Sequence, residues 1–225
     1  MSEMQGSPKK PRRAPAPEER KLDPERSRRL LLDAAMDEFA EKGYAGARVQ
    51  DIADRAGVNK QLINYHFGGK EGLYEELGRQ WLRREAEFND PALPLDELVL
   101  RYLRQAFADP RGTRLNAWCG LAGAVPEEDP EDLSDLRRRQ ADGELAEDID
   151  PAMAMLLCVS LVSAPLSMPH AVRRFFGADP DSPEFREHYA EQLRRVVRRL
   201  AAHDAPCRSS EPDMCGDEDE DEAPR

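Results

Sequence analysis

"DIADRAGVNKQLINYHFGGKEGLY", residues 51–74, is rich in helix-forming residues yet is broken at Gly57 and again at Gly68 and Gly69. The spacing predicts a short helix over 48–56 whose inward side is Val49, Ile52, Ala53 and Ala56. Gly57 is placed to end it in a left-handed conformation and turn the chain. Asn59 then caps a third helix that runs to Phe67. At 100° per residue Leu62, Ile63, His66 and Phe67 fall on one side, and Lys60, Gln61, Asn64 and Tyr65 on the other, with no aliphatic residue among the latter. Two short helices, a Gly-containing turn and a polar outward face make a helix-turn-helix. A DNA major groove about 12 Å wide admits one helix and nothing bulkier. The breaks therefore expose one short helix while its predecessor braces it.

Upstream, Asp23 is a good N-cap, Pro24 suits the first helical position and Glu25 favours the positive end of the dipole. Leu31, Ala35 and Phe39 follow at four-residue spacing, and Gly43 ends this first helix. Downstream, helical periodicity covers 70–89, 94–109, 114–124, 131–142, 151–164 and 183–202, and no segment alternates as a strand does. In the last of these Ser182 caps, Pro183 follows, and Phe185, Tyr189, Leu193, Val196 and Leu200 form one apolar stripe. The predicted class is all-α. The predicted organisation is a basic Pro-rich arm over 1–22, a helix-turn-helix domain over 23–70, a larger helical domain over 71–203 and an acidic tail over 204–225.

Charge supports that division. Residues 1–80 carry 15 Lys and Arg against 14 Asp and Glu, residues 81–200 carry 16 against 22, and residues 201–225 carry 2 against 9. More than half of the net charge of −12 thus sits in the last segment, so the acidic balance says little about the N-terminal third. Residues 1–22 hold Lys9, Lys10, Arg12 and Arg13 among four prolines and lack the apolar core of a signal peptide. The tail, acidic from Asp217 to Glu222, has no apolar periodicity to bury. Both ends are expected to be solvated, the tail as a solubilising segment in preference to a docking one.

Several chemistries find no support. The cysteines at 119, 158, 207 and 215 form neither a CxxC pair nor a disulfide framework. His203, Cys207 and Cys215 are three metal candidates at loose spacing, too few for a site. No metal or cofactor is expected. There is no Gly-rich phosphate loop, GxSxG or HExxH, and His66 has no carboxylate or nucleophile spaced to orient it as a catalyst. The Arg pairs 194–195 and 198–199 read as a solvated helix face at the negative helix end.

Residues 151–169 contain no charge. Pro165 should stop a helix begun at Pro151, leaving about 21 Å against a hydrocarbon core of about 30 Å. A membrane span is therefore not expected, and the predicted location is the cytoplasm. A helix apolar on all sides must be buried in protein, either in the core of one chain or between two chains.

Residues 30–77, "LLLDAAMDEFAEKGYAGARVQDIADRAGVNKQLINYHFGGKEGLYEEL", resemble the DNA-binding domain of the tetracycline-repressor (TetR) family of bacterial regulators. The features are Ala34-Ala35, Phe39, Gly43-Tyr44, Ile52-Ala53, Ala56-Gly57-Val58, His66-Phe67 and Lys70-Glu71 before Leu73. The resemblance implies a homodimeric repressor of a double-stranded DNA operator, with a small-molecule effector and a C-terminal four-helix dimer interface, here near 151–164 and 183–202. Two recognition helices about 34 Å apart would enter successive major grooves of a pseudo-palindrome. At the matching positions Lys60, Gln61 and Asn64 are implied to face base edges, with Asn59 near the helix start; Tyr65, His66 and Lys70 lie near phosphate or support the helix. Taken without the family pattern, the same polar face is an ordinary solvated surface. This chain departs from the pattern in having Ala47 and Arg48 where Thr or Ser often caps the second helix, so Arg48 would replace that phosphate contact by charge. It departs again in having Asn64 where Tyr is frequent. Candidate effector-pocket residues are Trp81, Leu103, Phe107, Trp118, Cys119, Met153 and Leu156, bulky or soft apolar groups that would equally serve as core. The rival classes are a helical enzyme and an adaptor that binds only protein.

Overall fold

The computed structural model describes residues 24–122 and 131–201. The arm over 1–22, the Asp23 cap, residues 123–130 and the tail with His203, Cys207 and Cys215 lie outside the described residues. Ten helices and no strand are found among the described residues: α1 (Pro24–Gly46), α2 (Val49–Ala56), α3 (Gln61–Phe67), α4 (Lys70–Phe88), α5 (Leu95–Ala108), α6 (Arg111–Ala122), α7 (Ser134–Ala141), α8 (Pro151–Ser167), α9 (Pro169–Phe176) and α10 (Pro183–Arg198). The protein is all-α.

Two apolar cores organise these helices. The first gathers Leu31, Ala35 and Phe39 of α1, Ile52 and Ala53 of α2, Ile63 of α3, and Leu73 and Leu77 of α4. Leu115 of α6 joins it, so the support of the N-terminal domain extends past residue 70 into the C-terminal half. The second core combines Leu95, Val99, Leu100 and Leu103 of α5, Leu136 of α7, Cys158 of α8, and Leu193 and Val197 of α10. Burial pushes the Cys158 thiol up to about 11, so it stays protonated and acts as a small apolar group.

The long uncharged segment departs from expectation. α8 does not stop at Pro165 but continues to Ser167 with that proline buried inside it. A helix-interior proline leaves the carbonyl four residues back without its donor. Here that carbonyl belongs to Leu161, and the Tyr189 hydroxyl of α10 donates to it at 2.7 Å. A side chain from another helix thus replaces the missing backbone bond. The chain then bends by 87° into α9, an element not foreseen. No single described helix is long and apolar enough to cross a membrane.

Burial of α8 is one-sided. Ala154, Cys158 and Pro165 face inward, whereas Met153 and Leu156 are each 60 % exposed and Val159 45 %. With Ala152, Ser160 and Ser167 these form one exposed face at helical spacing. On α10, Ser182 caps as expected, its hydroxyl accepting from the Phe185 N–H at 3.3 Å. The inward stripe passes through Val197 instead of Val196, which is exposed, because a helix advances 100° per residue and 193 to 197 keeps the line, and Leu200, the expected end of the stripe, is half-buried.

Candidate nucleic-acid interface

The turn before α3 is built from local hydrogen bonds. Gly57 adopts φ 67°, ψ 28°. The N–H of Val58 donates to the Ala53 carbonyl and that of Gly57 to the Asp54 carbonyl, both at 3.1 Å, which closes a Schellman motif and satisfies two helix-end acceptors. The Asn59 side-chain oxygen accepts from the Gln61 N–H at 2.9 Å, supplying the capping bond for α3. The helix proper starts at Gln61, after Lys60 in helical geometry. Gly68, at φ 75°, ends it by donating to the Asn64 carbonyl at 3.0 Å.

This framework orients the side chains. Ile63 is fully buried, and Lys60, Gln61, Asn64 and Tyr65 are exposed, Tyr65 by 78 %. Leu62, His66 and Phe67 are half-buried. The His66 ring meets the Tyr65 ring edge-on at 4.9 Å, and the Arg28 guanidinium lies 5.5 Å over Phe67. Arg28 also contacts Glu76 at 2.8 Å, so one α1 residue holds the end of α3 against α4. Lys70 turns toward the body of the domain, its Nζ 4.4 Å over the Tyr44 ring, and burial lowers its pKa.

Ala47 is buried and Arg48, at the start of α2, is exposed and makes no side-chain cap, so α2 begins without one. Charge pairing leaves a selective pattern. Arg55 is matched by Glu38 at 3.1 Å and Glu41 at 2.8 Å, and Lys42 by Glu38 and Asp51. The Glu38 carboxylate is buried and ties α1 to α2 through Arg55. Arg48 and Lys60, by contrast, have no ion-pair partner among the described residues. Their charges remain available to an external anion.

The seven candidate pocket residues do not converge on one cavity. Leu103 is buried, and with Phe107 it lines a cleft of about 820 Å3 between α5 and α10. Trp118 and Cys119 line a separate pocket of about 100 Å3 beside Lys42, Gly43 and Tyr44. There the Trp118 ring closes on Gly43, whose φ of 70° a side chain would strain, and the Cys119 thiol lies 3.2 Å from the Tyr74 hydroxyl. Trp81 meets Phe88 edge-on at 6.2 Å and is 41 % exposed, and Met153 and Leu156 lie on the outer face of α8. Apolar type alone did not distinguish these positions.

A link between the halves escaped the sequence reading. Arg111, at the start of α6, donates to Asp33 at 2.7 Å and Asp37 at 2.8 Å on α1 while gripping Asp109 at 2.8 Å and 2.9 Å. The Asp109 hydrogen bond raises the arginine's pKa well above its ordinary value, and it stays charged at every working pH. The one local hint is Asp33 and Asp37 four residues apart, two carboxylates on one α1 face in want of a cation.

Residues 31–77 match the family described as "Bacterial regulatory proteins, tetR family". The regulator RutR of Escherichia coli strain K12 is 35 % identical over 104 residues, which cover 43 % of this chain and 49 % of that protein, so the chain spans about half the length of this relative. The transcriptional repressor SCO4008 of Streptomyces coelicolor is 27 % identical over 189 residues, covering 79 % of this chain and 98 % of it. Among solved structures, the SCO4942 protein of Streptomyces coelicolor is similar with a TM-score of 0.59 and 26 % identity, over 76 % of this chain and 97 % of that one. The capped turn, the short exposed helix and this matched segment together make residues 31–77 similar to the tetR family of bacterial regulatory proteins.

Proposed function

We propose that the chain is a ligand-responsive transcriptional repressor that binds a pseudo-palindromic operator as a homodimer and is released by a small molecule. The observation that carries this reading is the exposed face of α3, where Lys60, Gln61, Asn64 and Tyr65 project opposite a fully buried Ile63. Gln61 and Asn64 offer the paired donor and acceptor that suit adenine, and Lys60 reaches guanine acceptors. Asn59 stands at the helix start, and Tyr65 and His66 flank the base-reading positions. Arg48 contributes charge toward phosphate from the start of α2, and Lys70 supports the α3–α4 junction through Tyr44.

The bare face of α8 supports the dimer, since a partner's α8 and α10 would cover Met153, Leu156, Val159 and the exposed Val196. An effector that prefers a different separation of the two readers lowers operator affinity by its differential binding energy. The protein acts in the cytoplasm and by binding alone. A protein-only adaptor would share the bare α8 face but gives no reason for an exposed α3 flanked by unpaired Arg48 and Lys60. An electrophoretic shift with DNA flanking the protein's own gene separates these readings. The regulator retards selected fragments, and retardation weakens steeply with salt. No retardation at low salt rejects the proposal.

A further inference from the structure

The cleft between α5 and α10, at about 820 Å3, lies within the range of roughly 300–1,000 Å3 that small-molecule sites occupy. Its floor is apolar: Leu100 and Leu103 are buried and Phe107 extends the surface. Its rim carries Arg104, Arg186 and Arg194 together with Glu187, His188 and Glu191, and the three arginines are not equivalent. Arg194 is engaged by Glu97 at 3.0 Å and Glu191 at 3.4 Å, so its charge is neutralised although its Nε, like that of Arg186, is buried without a hydrogen-bond partner. Arg104 has no hydrogen-bond or ion-pair partner among the described residues. Arg186 lies 4.9 Å over the Phe107 ring and reaches Asp181 through one terminal nitrogen at 2.9 Å, while its buried Nε has no partner. A buried donor without an acceptor is unfavourable, and an anion placed there removes the penalty. Arg104 precedes Phe107 by one turn on α5, and Arg186 faces the same ring from α10. Two under-used guanidinium groups therefore flank one aromatic ring above an apolar floor.

We propose that this cleft is the effector site and takes a small organic anion, its acid group held by Arg104 and Arg186 and its apolar body laid over Phe107, Leu103 and Leu100. The proposal rests on the ligand-responsive reading above. Arg186, Ala190 and Arg194 lie on the flank of α10 opposite Val196, the α10 residue that the proposed dimer would cover, so a ligand held by Arg104 and Arg186 leaves that position free. Phe107 is two residues from Asp109, which grips the Arg111 that reaches Asp33 and Asp37 of α1. A ligand that draws α10 and the end of α5 together acts beside the connection to the DNA-reading domain.

The test uses 8-anilinonaphthalene-1-sulfonate and its uncharged counterpart N-phenyl-1-naphthylamine, titrated by fluorescence into the full chain. The double variant Arg104→Gln, Arg186→Gln is expected to keep its helical circular dichroism, lose about tenfold or more in affinity for the sulfonate and bind the amine unchanged. Leu82→Ser on the exposed side of α4 is expected to leave the sulfonate titration as it is. The sulfonate is expected to weaken DNA retardation by the parent chain and not by the double variant. The proposal is overturned if the arginine changes leave sulfonate affinity intact, if Leu82→Ser abolishes the signal, or if a saturated site leaves DNA affinity unaltered. A chain that keeps the arginine-dependent anion site but retards no DNA overturns the regulator reading and the effector role with it, and leaves the site itself standing.

Discussion

The Tyr189 hydroxyl shows how one side chain makes an otherwise forbidden helix possible. Its bond to the Leu161 carbonyl replaces the one that Pro165 cannot give, and burial pushes its own pKa up to about 12, so it remains a donor throughout the physiological range. Tyr189→Phe is expected to cost about 1–2 kcal/mol in urea denaturation, since the carbonyl loses its donor. In a Pro165→Ala background the backbone N–H of residue 165 can serve that carbonyl, and the same change should then cost about 1 kcal/mol less. Equal losses in the two backgrounds would reject this account. A second residue-scale prediction concerns pH. Burial pushes the Glu76 carboxyl up, but hydrogen bonds from Arg28, Arg83 and Arg79 outweigh it and bring it from the ordinary 4.5 to about 2. A carboxyl with a depressed folded pKa binds fewer protons when folded than when unfolded, so its stabilisation is complete above the unfolded value and lost as pH falls through the folded one. Its partners are 30 %, 53 % and 60 % exposed, so water screens the pairs and the contribution is on the order of 1–2 kcal/mol. Glu76→Gln should destabilise by that amount at pH 7, with the gap to the parent chain closing between pH 4.5 and pH 2. A gap that persists at pH 2 would show that the loss lies in packing instead.

Among the elements, α2, the turn and α3 were legible in the sequence because their determinants are local. Gly57 and Gly68 fix both helix ends, Asn59 caps within two residues, and the 100° periodicity sets Ile63 against Lys60, Gln61 and Asn64. Where a partner comes from far along the chain, the reading failed. Pro165 was expected to end α8 because the donor that rescues it lies 28 residues away, and the Arg111 link spans 74 to 78 residues. The candidate pocket scattered for a related reason: an apolar residue at helical spacing does not declare which neighbour its face will meet, so Leu103 and Phe107 reached a cleft and Leu156 reached the surface. Phe67, read as lying on the inward side, packs half-buried against the N-terminal core under Arg28. In the proposed interface Gln61→Ala and Asn64→Ala each remove base contacts and are expected to cost about 1–3 kcal/mol on the preferred sequence, with little change on unrelated DNA. Arg48→Ala is expected to weaken binding to all sequences alike and reduce the salt slope by about 1. Retardation titrations at several salt concentrations distinguish the two behaviours. If Arg48→Ala altered sequence preference without altering the slope, its phosphate assignment would be wrong.

Across the whole molecule, the two halves are joined by α4, whose Phe88 meets Tyr102 of α5 edge-on at 5.0 Å, by Leu115 of α6 seated in the N-terminal core, and by Arg111 bridging to α1. This coupling makes the geometry of one reader depend on the C-terminal half, but it cannot by itself bring two readers onto one DNA site. In the proposed dimer that task falls to the outer face of α8, where Met153, Leu156 and Val159 are exposed on a helix with no charged residue. Apolar surface of this kind is costly to leave in water, at roughly 25 cal/mol per Å2. A two-fold interface places each such residue near its own symmetry mate, so one substitution acts twice. Leu156→Glu therefore puts two carboxylates into the proposed interface, and burying them unpaired is prohibitive. Analytical ultracentrifugation should find the parent chain at twice its 25.4 kDa mass and the variant at 25.4 kDa. Circular dichroism should be unchanged, because Leu156 contributes to neither core. Loss of the dimer separates the two half-site contacts, so retardation of a full operator should fall to the level of an isolated half-site, by more than about tenfold. A variant that stays dimeric would move the interface off α8. A variant that becomes monomeric yet binds the full operator undiminished would remove the two-fold geometry from the account of DNA recognition.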